Sequence, residues 1–390
     1  MQKYAIVTIG YNRADCMMRL LNSLNEAHIE EEIPLIISLD NCGSDVVEKA
    51  VSAFEWKHGE KKVVLHPERL GLKKHVLSIG EWTKEYENII VFEDDLFVSP
   101  YFFDYVKKCV DKYGEDDRIA GIGLYNNNLD QNSSYAFDAV NDGSDVYFMQ
   151  YACSWGQVWT RSKWAKFMEW YEQNSAPFYD DPVVPPNVNR WNEKSWLKYH
   201  VKYCAQTERF FVFPQISLTT NFSSSGSHAK FDDNAYQNPL LWGEKEWNLP
   251  TLDQSHSKYN VYFENLGLAS ALGLPEDDFC ADVYGQRKDS GGKRYWLTTR
   301  SADYKVLKSF GLDFRPREAN VLANLGGEVI KLYDTHTPET YKGLTEKQVE
   351  LVEMHYIVRA TSLKKLIAYC KYVFFKRLND RLKSKFKRKR

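Results

Sequence analysis

The chain has 390 residues, 43% hydrophobic and 27% charged, the balance of a globular protein large enough for more than one core. Its formal net charge of −2 hides a division: from Lys364 to Arg390, twelve Lys/Arg stand against Asp380 alone, so this segment carries +11 and the rest −13. Seven scattered cysteines, with no CxxC pair and no Cys/His spacing, argue against zinc modules and disulfide frameworks, and no apolar run reaches the ~20 residues of a membrane span.

YAIVTIG (4–10) is a strand pattern entered without the layout of a signal peptide, which predicts a reducing, cytoplasmic setting. Met17, Leu20, Leu21 and Leu24 then recur at helical spacing. PLIISLD (34–40), KVVLH (62–66) and NIIVF (88–92) read as further strands. Between them lie helices carried by Val46, Val47, Ala50, Val51 and Phe54, and by the segment from GLKKH to Trp82. Ser99-Pro100 offers an N-cap and a first-turn proline for the next helix. This alternation predicts an α/β fold with a mostly parallel sheet covered by helices on both faces.

Ligands of such sheets sit at the carboxyl ends of the strands. Four loops should therefore converge: TIGYNR (8–13), Asp40-Asn41, Pro67–Lys74 and Glu93-Asp94-Asp95. No GxGxxG follows the first strand and no GxxxxGK[ST] occurs, which disfavours a nicotinamide enzyme and a P-loop kinase. Three adjacent carboxylates repel one another unless exposed or bridged by positive charge. At a parallel-sheet mouth they suit Mg2+ or Mn2+, held by one or two carboxylates plus substrate phosphates. A solvated acidic turn is the plain alternative.

Seven segments, in order, carry a resemblance. They are TIGYNRADCMMRLLNSL (8–24), ISLDNCGSD (37–45), RLGLKK (69–74), VFEDDLFVSPYFFDY (91–105), CSWGQVWTRSKW (153–164), SWLKYHVKY (195–203) and FPQISLTTNFSSSGSHA (213–229). Across residues 3–230 the chain resembles the GT-A nucleotide-sugar glycosyltransferases, especially bacterial family 2-like enzymes. Its acidic motif is also similar to that of the Golgi N-acetylglucosaminyltransferase.

The resemblance implies a GT-A catalytic domain over residues 1–235 that binds a UDP-type nucleotide-sugar and a saccharide acceptor. The base would lie near Thr8, Tyr11, Asn12 and Arg13, with Asp40 reading its edge; a helix-capping turn is the other reading of Asp40. Arg69, Lys73 and Lys74 would neutralise the diphosphate, or else be solvated helix charges. Asp95 would hold the metal (Mn2+ or Mg2+), with Asp94 and Glu93 toward the ribose and the donor sugar. Trp155 and Gly156 belong to the acceptor-side segment, which reads WGWATW in relatives and departs here at Gln157-Val158. Trp155 and Trp159 are sugar platforms or core fillers. Ser225, Gly226, Ser227 and His228 fall in a segment that would close over the donor. Inverting transfer needs a base for the acceptor hydroxyl. Relatives place an acid just before a Trp like Trp196; here Lys194 stands in that neighbourhood, so Glu193 is the first candidate and Asp181 and Asp180 follow.

Beyond this, 236–262 reads as a surface linker within an accessory α+β region (236–345), with strands at 278–285, 293–300 and 328–334 around a helix at 302–310. The last part (346–390) is helical. Its Leu363, Leu366, Ile367, Cys370, Phe374, Leu378, Leu382 and Phe386 recur between Lys/Arg as a basic amphipathic helix. Nucleic-acid binding is the rival reading of a Lys/Arg-rich end, but Phe and Leu interleaved on one face favour a peripheral contact with the anionic inner face of the plasma membrane, with no nucleic acid expected. The expected function is metal-dependent, inverting sugar transfer to a saccharide, with a lipid-linked glycan as acceptor. A nucleotidyltransferase making an NDP-sugar is the enzyme alternative, and TIGYNR lacks its Gly-rich, basic loop. A non-catalytic sugar-binding protein is the other, against which the intact EDD, Asp40 and GSH segments argue.

Overall fold

A computed structural model describes residues 3–223, 235–358 and 362–387. β1 (Tyr4–Gly10) is buried along its whole length and leads into α1 (Ala14–Asn25), whose Met17, Leu20, Leu21 and Leu24 are fully buried, as their spacing predicts. β2 (Leu35–Leu39), α2 (Val46–Ala53), β3 (Lys61–Leu65), α3 (Leu72–Ile79) and β4 (Asn88–Glu93) complete the alternating half. After the acidic triplet, β5 (Leu96–Val98) turns back and α4 (Phe102–Tyr113) follows. The helix starts at Phe102, not at Pro100, because Ser99 Oγ accepts from the Tyr101 amide (3.1 Å) and so caps a separate turn.

β6 (Ile119–Gly123) is followed by a small hairpin, β7 (Leu129–Asp130) and β8 (Tyr135–Ala136), then by β9 (Val146–Met149) and β10 (Gln157–Thr160). α5 (Arg161–Asn174), α6 (Pro186–Asn189), α7 (Trp196–Gln206), β11 (Phe210–Pro214), β12 (Thr219–Asn221) and β13 (Lys258–Tyr259) come next. Nine strands form one sheet in the order β13-β9-β11-β6-β10-β4-β1-β2-β3. The β4-β1-β2-β3 half is parallel, whereas β10 runs antiparallel between β4 and β6, so the sheet is mixed. Gly121 and Gly123 lack side chains where the rings of Phe211 and Phe213 lie; a Cβ there would come within 2.5 and 2.8 Å of them.

Alternation along β4 sends Ile89, Val91 and Glu93 to one face and Ile90 and Phe92 to the other. α1, α2 and α4 close the second face, and α3, α5 and α7 the first, each through its buried stripe. The segment read as a surface linker contributes more than that. Lys258 and Tyr259 pair with Phe148 and Met149 as an edge strand, and Tyr259 is fully buried.

The accessory part contains α8 (Leu268–Ala271), β14 (Phe279–Asp282), β15 (Tyr295–Thr298), β16 (Tyr304–Phe310), α9 (Arg317–Leu322) and β17 (Ile330–Pro338). Its sheet order is β14-β15-β17-β16. Residues 302–310 were expected to be helical but form the edge strand β16, paired with β17 from Tyr304–Pro338 to Phe310–Ile330. Two register irregularities interrupt the period of two, which leaves the apolar residues at helix-like spacing. α10 (Glu346–Val358) and α11 (Leu363–Lys387) follow. One continuous core runs from Ala5 in β1 to Val349 in α10, so the small sheet packs on the first face of the large one.

Candidate active site

β1 and β4 are parallel neighbours with Ile9 opposite Glu93, so Tyr11–Arg13 and Glu93–Asp95 leave the same end of the sheet. There Arg13 donates through Nε to Asp94 Oδ2 (3.2 Å) and through Nη2 to Asp94 Oδ1, while Nη2 lies 3.5 Å from Asp95 Oδ2. This guanidinium is the positive charge that makes the triplet tolerable. Burial nevertheless raises Asp94 to about 6, against the pull of Arg13. Glu93 rises further, to about 8: burial is the main cause, the charges of Asp95 and Asp94 add to it, and Arg13 and a Trp196 hydrogen bond oppose it.

Asp95 Oδ1 is buried and has no hydrogen-bond partner among the described residues. With Glu93 largely protonated at neutral pH, the carboxylates of Asp94 and Asp95 face one guanidinium, and one hard oxygen is left uncommitted. A divalent cation fits that donor and that excess of negative charge. No group of three or more His/Cys/Asp/Glu suited to a metal occurs among the described residues. A cation held by Asp95 would therefore complete its shell with phosphate and water oxygens.

The other loops converge as expected, with some roles changed. The Arg69 guanidinium lies 5.0 Å from the Tyr11 ring centroid, and Asn12 is exposed beside it. Asp40 is only 7% exposed, and its carboxylate accepts from the backbone amides of Asn41 (2.9 Å), Leu70 (2.7 Å) and Gly71 (2.9 Å). It latches the loop that carries Arg69. Gly71 sits at φ +74°, the left-handed region, where that loop turns into α3. Thr8 does not reach the mouth: it is fully buried within β1, and its hydroxyl has no partner among the described residues.

Sequence reasoning missed a second stitch beneath this loop. Ser38 Oγ lies 3.1 Å from His66 Nε2 and 2.7 Å from His75 Nε2. Burial, reinforced by neighbouring His66, lowers His75 to about 4, so His75 enters this contact as a neutral ring. A serine inside the apolar run LIISL, with histidines in the next strand and helix, was the available signal.

Lys73 turns from α3 toward α7. Its Nζ lies 4.6 Å from the Tyr199 ring centroid, and burial lowers its pKa against the charge of Glu193. Lys73 and Glu193 therefore share one seam. Glu193 accepts from the Tyr179 hydroxyl (2.5 Å), which holds its carboxyl below the ordinary range. In Asp181, burial works upward, but hydrogen bonds from Lys202 and the Val183 amide outweigh it. Asp181 is committed to Lys202 at 2.7 Å, and Asp180 is exposed.

On the acceptor-side segment, Trp155 is half-buried between Tyr125 (4.7 Å) and Tyr236 (4.8 Å). Gly156 has φ +87°, and a Cβ there would lie 2.7 Å from Thr219 Cγ2, so only glycine fits. Trp159 is no platform. It is 1% exposed, stacks on Trp164 at 4.2 Å and donates to Gln157 Oε1 (3.0 Å), so the Gln157 departure serves the interior. Ser225, Gly226, Ser227 and His228 lie outside the described residues. The strand leading to them is tied to the metal candidate, since the Phe222 amide donates to the Asp95 carbonyl at 3.0 Å. A cavity of about 1090 Å3 around His28, Tyr101, Lys107 and Trp247 shares no residue with this mouth.

No family model matches the chain. Over 279 residues, 67% of this chain, it is 22% identical to the alpha-1,3-mannosyl-glycoprotein 2-beta-N-acetylglucosaminyltransferase of Arabidopsis thaliana. The chain is related to that glycosyltransferase. It spans 57% of the relative's length. Among solved structures, S. aureus TarS 1–349 in complex with UDP-GlcNAc is 13% identical, with 58% of this chain and 60% of that one covered at a TM-score of 0.37. GalNAc-T7 with UDP, GalNAc and Mn2+ is 15% identical, covering 56% and 43% at 0.39. The mannosyltransferase PcManGT from Pyrobaculum calidifontis, with GDP-Man and Mn2+, is 13% identical, covering 54% of each chain at 0.34. Structural likeness this loose assigns no function.

Proposed function

We propose that the chain is a metal-dependent glycosyltransferase that moves a sugar from a UDP-type donor to a saccharide acceptor with inversion. The observation that carries this reading is the buried Asp95 Oδ1, without a partner among the described residues, beside the Arg13–Asp94 pair at the common end of two parallel strands. The relationship to an N-acetylglucosaminyltransferase supports it.

In this reading Asp95 holds Mn2+ or Mg2+, which when bound offsets the charge developing on the leaving diphosphate. Arg13 fixes Asp94 toward the ribose, Tyr11 and Arg69 flank the nucleotide, and Asp40 keeps the Arg69 loop in place. Glu93 faces the donor sugar from the side of Trp196. Glu193 takes the acceptor hydroxyl proton as that oxygen attacks the anomeric carbon. Tyr179 orients it and, by its hydrogen bond, does most to keep it ionised, with the charges of Lys194 and Lys73 adding to this. Asp181 serves less well, because its Lys202 partner would have to be displaced first. Trp155 offers its half-buried ring to the acceptor side. We assign the acceptor to a saccharide of the lipid-linked glycan class, used at the cytoplasmic membrane face.

The test is donor turnover across UDP-, GDP- and dTDP-sugars, with Mn2+ and with EDTA. UDP-sugar turnover that requires Mn2+ is expected. Undiminished turnover in EDTA, or none with any donor and a saccharide acceptor, overturns the reading.

A further inference from the structure

α11 (Leu363–Lys387) is a 25-residue helix whose described side chains the rest of the protein leaves largely uncovered. Of its side chains described as far as Asn379, only Leu366 and Val373 are even partly buried. Leu363, Ile367, Phe374 and Leu378 are 72%, 49%, 64% and 45% exposed, and Tyr369, Tyr372 and Phe375 are exposed with them. Scattered single apolar residues on a surface need no explanation, but a contiguous set does.

The set has an order. Leu363, Leu366, Ile367, Cys370, Val373, Phe374 and Leu378 recur every three or four residues and so share one face of the helix. Lys364, Lys365 and Lys376 project elsewhere, with Tyr369 and Tyr372 among them; Lys371 borders the apolar face and Arg377 interrupts it, where a long basic side chain can still extend to the headgroups. Aliphatic and Phe side chains on one face, with tyrosine and lysine around it, match the layers of a bilayer surface: acyl boundary, interface and headgroups.

Charge selects among the partners that could cover this face. The segment from Lys364 onward carries +11. A second copy would bring the same charge against itself. A nucleic acid would meet the lysines but leave the Leu/Ile/Phe face in water. An anionic lipid surface satisfies both faces at once. The −13 on the rest of the chain would be repelled from such a surface, which leaves α11 as the contact. Among the described residues no helix is long and apolar enough to cross a membrane, so α11 lies along the surface.

We propose that α11 docks the protein on anionic membranes, its Leu363–Leu378 face in the acyl boundary and its lysines at the headgroups. The inference does not depend on the transferase reading. The experiment is co-sedimentation of the full chain with phosphatidylcholine vesicles with and without phosphatidylglycerol, at low and high salt. The variants are I367E/F374E and K364E/K365E/K371E. Both alter exposed side chains of α11 that are no part of the Asp95 mouth, so unchanged circular dichroism and soluble-donor turnover serve as controls.

Binding to phosphatidylglycerol vesicles that weakens with salt is expected. Each Lys→Glu change should lower the partition coefficient by about fivefold or more, the equivalent of roughly 1 kcal/mol per basic residue. The apolar pair should lower it at least as much as one such change. Equal partitioning of wild type and both variants overturns the proposal. So does a dimer abolished by I367E/F374E, or RNA binding abolished by the lysine variant, if vesicles capture nothing.

Discussion

Replacing Asp40 by Ala should free the loop that carries Arg69. The carboxylate accepts three backbone amides, and two of them, from Leu70 and Gly71, come from 30 and 31 residues away. A hydrogen bond to a charged acceptor contributes about 1.5–3 kcal/mol, so the two long-range bonds sum to roughly 3–6 kcal/mol. Water reaching the freed amides at the mouth returns part of this, leaving a net loss of about 2–4 kcal/mol, or roughly 30- to 1,000-fold in the opening equilibrium. Hydrogen exchange at the Leu70 and Gly71 amides reads that number directly, with the Ile6 and Val7 amides of β1 as the unmoved reference. Asp40→Asn should fall between, because its amide nitrogen turns a donor toward one of the two N–H groups. KM for the donor should rise in parallel as Arg69 leaves Tyr11. If exchange at Leu70 and Gly71 in Asp40→Ala stays within about threefold of wild type, the latch is not what holds the loop.

Arg317 and Glu353 form an ion pair whose side chains are each 2% exposed, so Glu353→Ala should cost about 3–5 kcal/mol in guanidinium unfolding. Arg317→Met/Glu353→Leu should cost less than that single change, and the reverse order would contradict the assignment. Burial raises Glu318 to about 7 from an ordinary 4.5, so the folded state binds more protons between those values. Its contribution is full below 4.5 and is lost as pH rises through 7, and Glu318→Gln should remove that decline. At pH 8 Glu318→Gln should therefore stabilise by up to about 3 kcal/mol, as read by thermal melts across pH. Glu193→Gln should lower turnover roughly 10²–10⁴-fold with donor KM nearly unchanged. A larger loss in Asp181→Asn, with Glu193→Gln almost silent, would move the base to Asp181.

The parallel half of the fold was legible because each of its strands is a near-continuous apolar run and each helix shows its stripe within a dozen residues. Those are local signals. The insertion of β10 between β4 and β6, and of Lys258-Tyr259 at the sheet edge, depends on pairing between distant segments that no periodicity encodes. The strand at 304–310 was misread as a helix for a different reason: its register irregularities give apolar residues a spacing of three and four.

At the site, the carboxyl-end rule foresaw that these loops share one end of the sheet, and residue type alone did not show which groups Asp40 bonds. Its bonds to the Leu70 and Gly71 amides depend on where the loop after β3 lies, which neither reading of Asp40 contained. Arg13 was singled out near the base, yet its bond to Asp94, 81 residues on, follows only from the adjacency of β1 and β4. Trp155 and Trp159 looked alike in sequence. The strand pairing of Gln157–Thr160 buries the second and leaves the first at the rim.

The central claim is that Asp95 is the protein's ligand to a divalent cation that enters with the donor diphosphate. Titrating Mn2+ into the full chain with UDP present, and following free Mn2+ by electron paramagnetic resonance, tests it with no need for an acceptor. Wild type should take up one Mn2+ per chain. Asp95→Ala should bind it more weakly by at least the roughly 10- to 100-fold that even an indirect supporting partner is worth, with an unchanged thermal melt. Equal Mn2+ affinity in Asp95→Ala and wild type would contradict the account.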